Sequence, residues 1–485
     1  MAFPVLTFLA TTVSSFLSIY AFNMFVLALM AAKRIISGRT SDTDPVLPNQ
    51  LPIVTVQIPI YNEDSIVGKV LENVASFDYP KDRMQVQLLD DSTDKDLLLE
   101  DELLVEDYVK KGYDIQLIHR PDRKGYKAGA LNNGLRLAKG EYVVVVDADT
   151  ISPSNFLKDL ISFFNENDEL AFVQAKCDYS DRWFNWVTES SAVERDMHYL
   201  VEQPAKNWYN LLPNFSGKAG MWRRSVLDKY GWDETVITED IELSYRVQID
   251  GWKSAYLHNP TCLIELTPSL MALKAQQERW TAGFAQSFRK LWKSVIRTTK
   301  LSTFQKMETL IFLSTPVTHI IALVAIVLWA FAAMFEPEAT LGLWLGTLAF
   351  SGFMAAMSFA AELPVIMAAF RSGERVGRKL ITIPLTLTLV TANLFANAKG
   401  AIEGFTGKKL VFERTRKYGI TKSTKKYEIT NDVKFSHIIR KNKVELVSAI
   451  LMTLFSIKIF QIGQITSAIP LSYLAIAWFV GSLQK

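Results

Sequence analysis

The sequence predicts an α/β domain with a mainly parallel sheet, set between membrane helices. Three observations predict this. Apolar residues crowd into the first 32 and the last 180 of the 485 residues, which points to membrane segments flanking a water-soluble block. Within 51–297, short β-branched runs alternate with helix-like segments, the βαβ pattern of a parallel sheet. Two of those runs end in acids, where such sheets receive ligands.

The chain opens on an uncharged stretch, Phe3 to Ala32, followed by Lys33 and Arg34. A signal-peptide core is usually about 7–15 residues long, so this stretch reads as a membrane helix (domain 1–34) whose C-terminal end is cytoplasmic. Residues 35–50 form a polar linker with two prolines. The block 51–300 follows. IVTVQIPI, VQLLDDS and YVVVVDADT read as strands, and residues 64–76 and 97–111 as helices. Further apolar stretches cover about 309–334, 341–370, 446–460 and 467–483, giving pairs of membrane helices within 301–370 and 444–485. Between those pairs, 371–443 carries 17 Lys and Arg against 5 Asp and Glu, so the positive-inside rule makes it cytoplasmic. The stretch 381–398 is then expected to lie along the inner leaflet rather than span. The expectation is a multi-pass protein with five spans and a cytoplasmic catalytic block.

Composition excludes little by itself. With 53 Lys and Arg against 50 Asp and Glu, nothing marks a nucleic-acid partner. Two cysteines cannot build a disulfide framework or a four-thiolate zinc site.

The chemistry lies in five segments of the soluble block: PIYNE (59–63), DDSTD (90–94), DADT (147–150), TED (238–240) and QQERW (276–280). Asp147 and Asp149, just after an apolar strand, can hold one hard divalent cation, Mg2+ or Mn2+, whose other positions go to phosphate and water. Asp91 can accept hydrogen bonds from a base or ribose, as strand-end acids do in dinucleotide folds. Tyr61 can stack on a base. Lys127 sits between Gly125 and Gly129, which permit close backbone approach, and can meet phosphate; the plainer reading is a solvated lysine. One of Glu239, Asp240 and Glu242 can take a proton from an attacking hydroxyl, with Asp240 favoured on pattern, or these acids merely complement a helix N-terminus. Arg279 and Trp280, expected at the end of a helix, can clamp a diphosphate and offer a flat face to a sugar, although tryptophan is also common at membrane interfaces.

In this order the segments resemble the processive family 2 glycosyltransferases, the group of cellulose, mannan, hyaluronan and chitin synthases, whose pattern is D, D-x-D, [T/E]-E-D, Q-x-x-R-W. RKGYKAGAL (123–131), VEQ (201–203), TEDIELSYR (238–246) and NAKGAIEG (397–404) bring the likeness nearest to the glucomannan-synthase-like branch and its bacterial relatives. The resemblance implies a GT-A fold, inversion at the anomeric carbon, a nucleotide-sugar donor (UDP-glucose or GDP-mannose) and a growing glycan acceptor. It implies Asp240 as base beside Glu239, and Asp147 and Asp149 for metal and diphosphate. Tyr61, Glu63, Asp91 and Lys127 would hold the nucleotide, Arg279 the diphosphate, and Trp280 with Gln276 the acceptor. FERTRKYG (412–419) is similar to a gating loop F-x-V-T-x-K, with Phe412, Thr415 and Lys417 matching and Arg414 departing; Lys417 would reach the diphosphate. Lys218 departs too, standing in NFSGKAG where Ser or Thr is usual. The implied function is a membrane polysaccharide synthase that extrudes its product. Two alternatives are a single-addition lipid glycosyltransferase similar to glucosylceramide synthase, and a catalytically silent membrane subunit.

Overall fold

The computed structural model describes residues 4–38, 46–63, 66–339, 376–408 and 442–483. The expected span at 341–370 and the segment 412–419, with Lys417, lie outside these residues. In chain order the elements are α1 (Val5–Ile36), β1 (Val54–Ile60), α2 (Val67–Ala75), β2 (Met84–Asp90), α3 (Lys95–Lys110), β3 (Asp114–His119), α4 (Tyr126–Leu135), β4 (Tyr142–Val145), α5 (Phe156–Glu166) and β5 (Leu170–Tyr179). Then come α6 (Trp186–Asp196), a π-helical turn (Met197–Glu202), α7 (Gln203–Trp208), β6 (Gly220–Arg223), α8 (Arg224–Tyr230), α9 (Glu239–Ile249), β7 (Lys253–Ile264) and α10 (Leu270–Arg297). Last are α11 (Thr303–Leu313), α12 (Pro316–Phe335), α13 (Val376–Thr406), α14 (Lys443–Gln461) and α15 (Ile465–Leu483).

The seven strands form one sheet in the order β3-β2-β1-β4-β6-β5-β7. β1, β2, β3 and β4 are mutually parallel, while β6 runs antiparallel to both β4 and β5. Side-chain alternation sorts each strand between two cores. Tyr142, Val144 and Val146 pack with α2 and α5, whereas Val143 and Val145 join Leu131, Trp222 and Leu243 on the opposite face. The polar residues of VTVQIPI are buried as well. Thr55 donates to Gln85 Oε1 (2.8 Å), and Gln57 donates to Gln87 Oε1 (3.0 Å) and Leu131 O (3.3 Å), so neighbouring strands and α4 take up these donors.

The domain sits at one end of a helical bundle. α1 runs antiparallel to α12. Glu336 accepts from Leu6 N and Thr7 N at the far end, Trp329 Nε1 donates to Ser14 (3.0 Å) midway, and Tyr20 meets Ser314 (3.0 Å) nearer the domain. Leu27, Ala28 and Ala31 of α1 then pack on Val201, Ala205 and Leu211 of the domain. Both free ends of the α14–α15 hairpin return to α10, where buried Lys274 meets the carboxylate of Glu445 and donates to Gly481 O (2.7 Å). α1, α12 and α14 are long and apolar enough to cross a membrane, and Ser467–Leu483 is a shorter apolar helix.

Two expectations are corrected. The apolar stretch 309–334 is not one helix; it breaks at Ser314–Thr315 before Pro316, which opens α12 because proline fits a first helical turn and not an interior. Arg279 and Trp280 do not end a helix. They lie inside the 28-residue α10, because Phe284, Phe288, Leu291 and Val295 keep an apolar stripe beyond them.

α13 crosses α10 through the NAKGAIEG segment. A Cβ on Gly400 would lie 2.2 Å from Glu278 O, and one on Gly404 would lie 2.3 Å from Ala282 O. Backbone oxygens cannot rotate away, so the helices would separate. Gly400→Ala is therefore expected to destabilise the protein by about 1–3 kcal/mol through overpacking, against the usual helix gain of alanine over glycine. Thermal unfolding in detergent checks this, and a midpoint equal to or above that of wild type would show that the crossing tolerates the methyl.

Candidate active site

The carboxyl ends of β1, β2 and β4, the first turn of α9 and the middle of α10 enclose a cavity of about 470 Å³. Its walls bring together Tyr61, Glu63, Asp91, Lys127, Asp147, Asp149, Glu239, Asp240, Gln276, Arg279 and Trp280, every site residue expected from sequence except Lys417. The strand order reverses between β1 and β4, and open α/β sheets bind ligands in the crevice at such a point.

At one end, Asp91 follows β2 and its amide bonds to Ile60 O (3.1 Å). Arg120, just past β3, grips both oxygens of Asp91, with Nε to Oδ1 at 2.7 Å and a terminal nitrogen to Oδ2 at 2.5 Å. The guanidinium of Arg123 lies 3.3 Å from the centroid of the Tyr61 ring. Sequence reading named neither arginine, although both belong to or border the RKGYKAGAL segment.

Asp147 lies two residues beyond β4. Lys127, in the first turn of α4, donates to its Oδ1 (2.5 Å) and to Gly217 O (2.9 Å), while Lys218 donates to its Oδ2 (3.0 Å). Burial alone would raise the Asp147 carboxyl, but the two ammonium groups overcome it and hold the group well below the ordinary carboxylate range. Asp149 Oδ2 accepts a long bond from Glu265 N (3.3 Å). Among the described residues no group of three or more His, Cys, Asp or Glu converges as a ready-made metal cage.

Asp240 stands in the first turn of α9, where its Oδ1 accepts from Ile241 N (2.9 Å). Its Oδ2 lies over Gly217, so close that a Cβ there would come within 2.8 Å. Gly217 has φ +78°, so a side chain would be both strained and in contact with the carboxylate. The α9 start is clamped to α10. Gly283 admits Thr238, Ile237 N donates to Gln286 Oε1 (3.1 Å), and Thr238 meets Ser287 (3.2 Å). The TED and QQERW segments are thus one packed unit.

Burial pushes both Glu239 and Asp240 upward; Lys127 opposes it at each, and Asp240 adds to the push on Glu239. A group with a raised pKa loses its charged form as pH falls through that higher value. A base at Asp240 therefore predicts that kcat rises with pH along a limb displaced above the usual carboxylate value of about 4. A pH–rate profile checks this, and a limb at the unshifted value would contradict it.

On α10, Gln276 Oε1 accepts from Arg195 (3.0 Å), whose guanidinium lies 4.6 Å from the centroid of the Trp280 ring. Arg195, Glu194 and His198 also line the cavity, and no sequence signal marked them.

Residues 51–283 match the sequence model of the "Glycosyltransferase like family 2". They are a family 2 glycosyltransferase domain. The chain is 32% identical over 311 residues to glucomannan 4-beta-mannosyltransferase 1 of Oryza sativa subsp. japonica, covering 62% of this chain and 60% of that relative. It is 28% identical over 441 residues to glucomannan 4-beta-mannosyltransferase 7 of Arabidopsis thaliana, covering 88% of this chain and 76% of the relative. The chain thus spans about 60% of the length of the rice relative. Among solved structures, a mannosyltransferase of Pyrobaculum calidifontis in complex with GDP-Man and Mn2+ superposes with a TM-score of 0.51 at 19% identity, covering 83% of this chain and 99% of that one. The glycosyltransferase domain has the expected GT-A fold.

Proposed function

We propose that the protein transfers mannosyl units from GDP-mannose to the end of a growing β-linked mannan on the cytoplasmic side of a membrane and passes the product across it. The observation that carries the reading is the placement of Asp240 in one cavity with Asp147, Asp149, Arg279 and Trp280. The likeness to glucomannan mannosyltransferases supports mannose over glucose as the sugar.

The acceptor sugar would lie near Trp280, with its hydroxyl toward Asp240. The hydroxyl oxygen attacks C1 from the face opposite the diphosphate, the C1–O bond to phosphate breaks, and the configuration inverts. Asp240 accepts the hydroxyl proton as the oxygen gains its bond to carbon. Fixed in the first turn of α9, it works beside the positive end of the helix dipole. Arg279 and Lys127 supply positive charge where the diphosphate leaves. Two acids on one turn, with Asp147 kept ionised, suit a hard cation completed by substrate oxygens. Asp147 and Asp149 would hold Mg2+ or Mn2+, which when bound neutralises charge on the leaving diphosphate. Tyr61, Glu63 and Asp91 would hold the nucleoside, with Arg120 and Arg123 fixing Asp91 and Tyr61.

Purified full chain offered GDP-mannose, UDP-glucose, UDP-N-acetylglucosamine and GDP-glucose separately tests the donor. Release of GDP from GDP-mannose well above the others is expected, and preference for a UDP-sugar would overturn the assignment.

A further inference from the structure

Lys218 is not a surface lysine that happens to meet an acid. Its backbone is pinned in the sheet: Gln174 Nε2 donates to Lys218 O (3.0 Å), and the next residue, Ala219, donates from N to Val145 O (3.0 Å) and accepts at O from Ala175 N (2.9 Å). The neighbours Gly217 (φ +78°) and Ala219 (φ +53°) are both left-handed, a costly conformation for alanine. The side chain is 17% exposed and ends on Asp147 Oδ2. Lys127 holds the other oxygen. Each oxygen of the first D-x-D carboxylate therefore carries an ammonium. Asp149, Glu239 and Asp240 line the same cavity, but both ammonium groups end on Asp147.

A dication entering alone crowds the two ammonium groups on Asp147 with uncompensated positive charge, at distances where like charges repel strongly. A dication arriving with a nucleoside diphosphate does not, because the phosphates neutralise it and offer a displaced ammonium a new partner. We propose that Lys218 competes with the divalent cation for Asp147, so that the cation is captured together with the nucleotide rather than before it. The proposal rests on the reading of Asp147 and Asp149 as the metal site. By linkage the coupling is reciprocal, so the cation tightens nucleotide by the same factor that nucleotide tightens the cation.

The test is a titration of the purified full chain with Mn2+, read as free Mn2+ by electron paramagnetic resonance, with and without saturating GDP. In wild type, GDP is expected to tighten Mn2+ by about tenfold or more. Lys218→Met removes the charge and keeps the length; it should tighten nucleotide-free Mn2+ by about tenfold or more and shrink the effect of GDP. Lys218→Arg keeps the charge and should behave as wild type. If the methionine variant does not fold, Lys218→Thr replaces it. Nucleotide-free affinities within about twofold for the neutral variant and wild type, with GDP still tightening Mn2+ in both, would overturn the competition while leaving the metal reading intact. Mn2+ binding indifferent to GDP in every protein, or unchanged in Asp149→Ala, would instead remove the metal reading and the proposal with it.

Discussion

Replacing Asp240 by Asn is expected to lower kcat by about 10²–10⁴-fold, the usual contribution of a positioned general base. The amide keeps the size of the side chain and its bond from Ile241 N, but it cannot accept the proton of the attacking hydroxyl. The loss should therefore fall in turnover, because a base acts in the transition state, while GDP affinity stays near that of wild type. Glu239 is not expected to rescue the variant. The clamp between Thr238 and α10 fixes the first turn of α9, so the Glu239 carboxyl is not free to move into the place of Asp240. Initial rates together with GDP binding by calorimetry separate the two effects. Turnover near the wild-type value would remove Asp240 from the mechanism.

Asp149→Ala is expected to reduce sugar transfer by about 10²-fold or more, since charge neutralisation at a leaving diphosphate supplies several kcal/mol. Thermal unfolding of the variant, run beside the rate measurement, separates lost transfer from lost folding. Asp147 does not make up the loss, because it is already the other carboxylate of the pair and is shared with Lys127 and Lys218. Excess chelator should act on wild type as the substitution does. Full wild-type activity in chelator, or normal transfer by the variant, would remove the metal from the reaction.

The acids of the candidate site were legible because strand ends are. IVTVQIPI, VQLLDDS and YVVVVDADT are short apolar runs with punctuation, and the sheet puts their carboxyl ends side by side. TED was legible as a helix start for the same local reason. Partners reached across the sheet were not. Arg120 grips Asp91 across 29 residues, Lys218 reaches Asp147 across 71, and Arg195 meets Gln276 across 81. No local period encodes such pairs, since they depend on strand order or, for Arg195 and Gln276, on how two helices pack. The helix that carries Arg279 and Trp280 runs on beyond them because Phe284, Phe288 and Leu291 continue one apolar face, and that face has its partner only in the folded protein. The glycines of NAKGAIEG stood out as a segment, but their cause is tertiary: the backbone of α10 passes within about a carbon atom's reach of Gly400 and Gly404.

The most direct measurement is the product made from GDP-mannose by purified full chain, followed by carbon–proton NMR at the anomeric position and by size. GDP-mannose carries its sugar in the α configuration, so one displacement guided by Asp240 must give a β linkage. The account predicts a long β-linked mannan that an endo-β-mannanase degrades; an α-linked product, or a single mannose on a lipid, would contradict it.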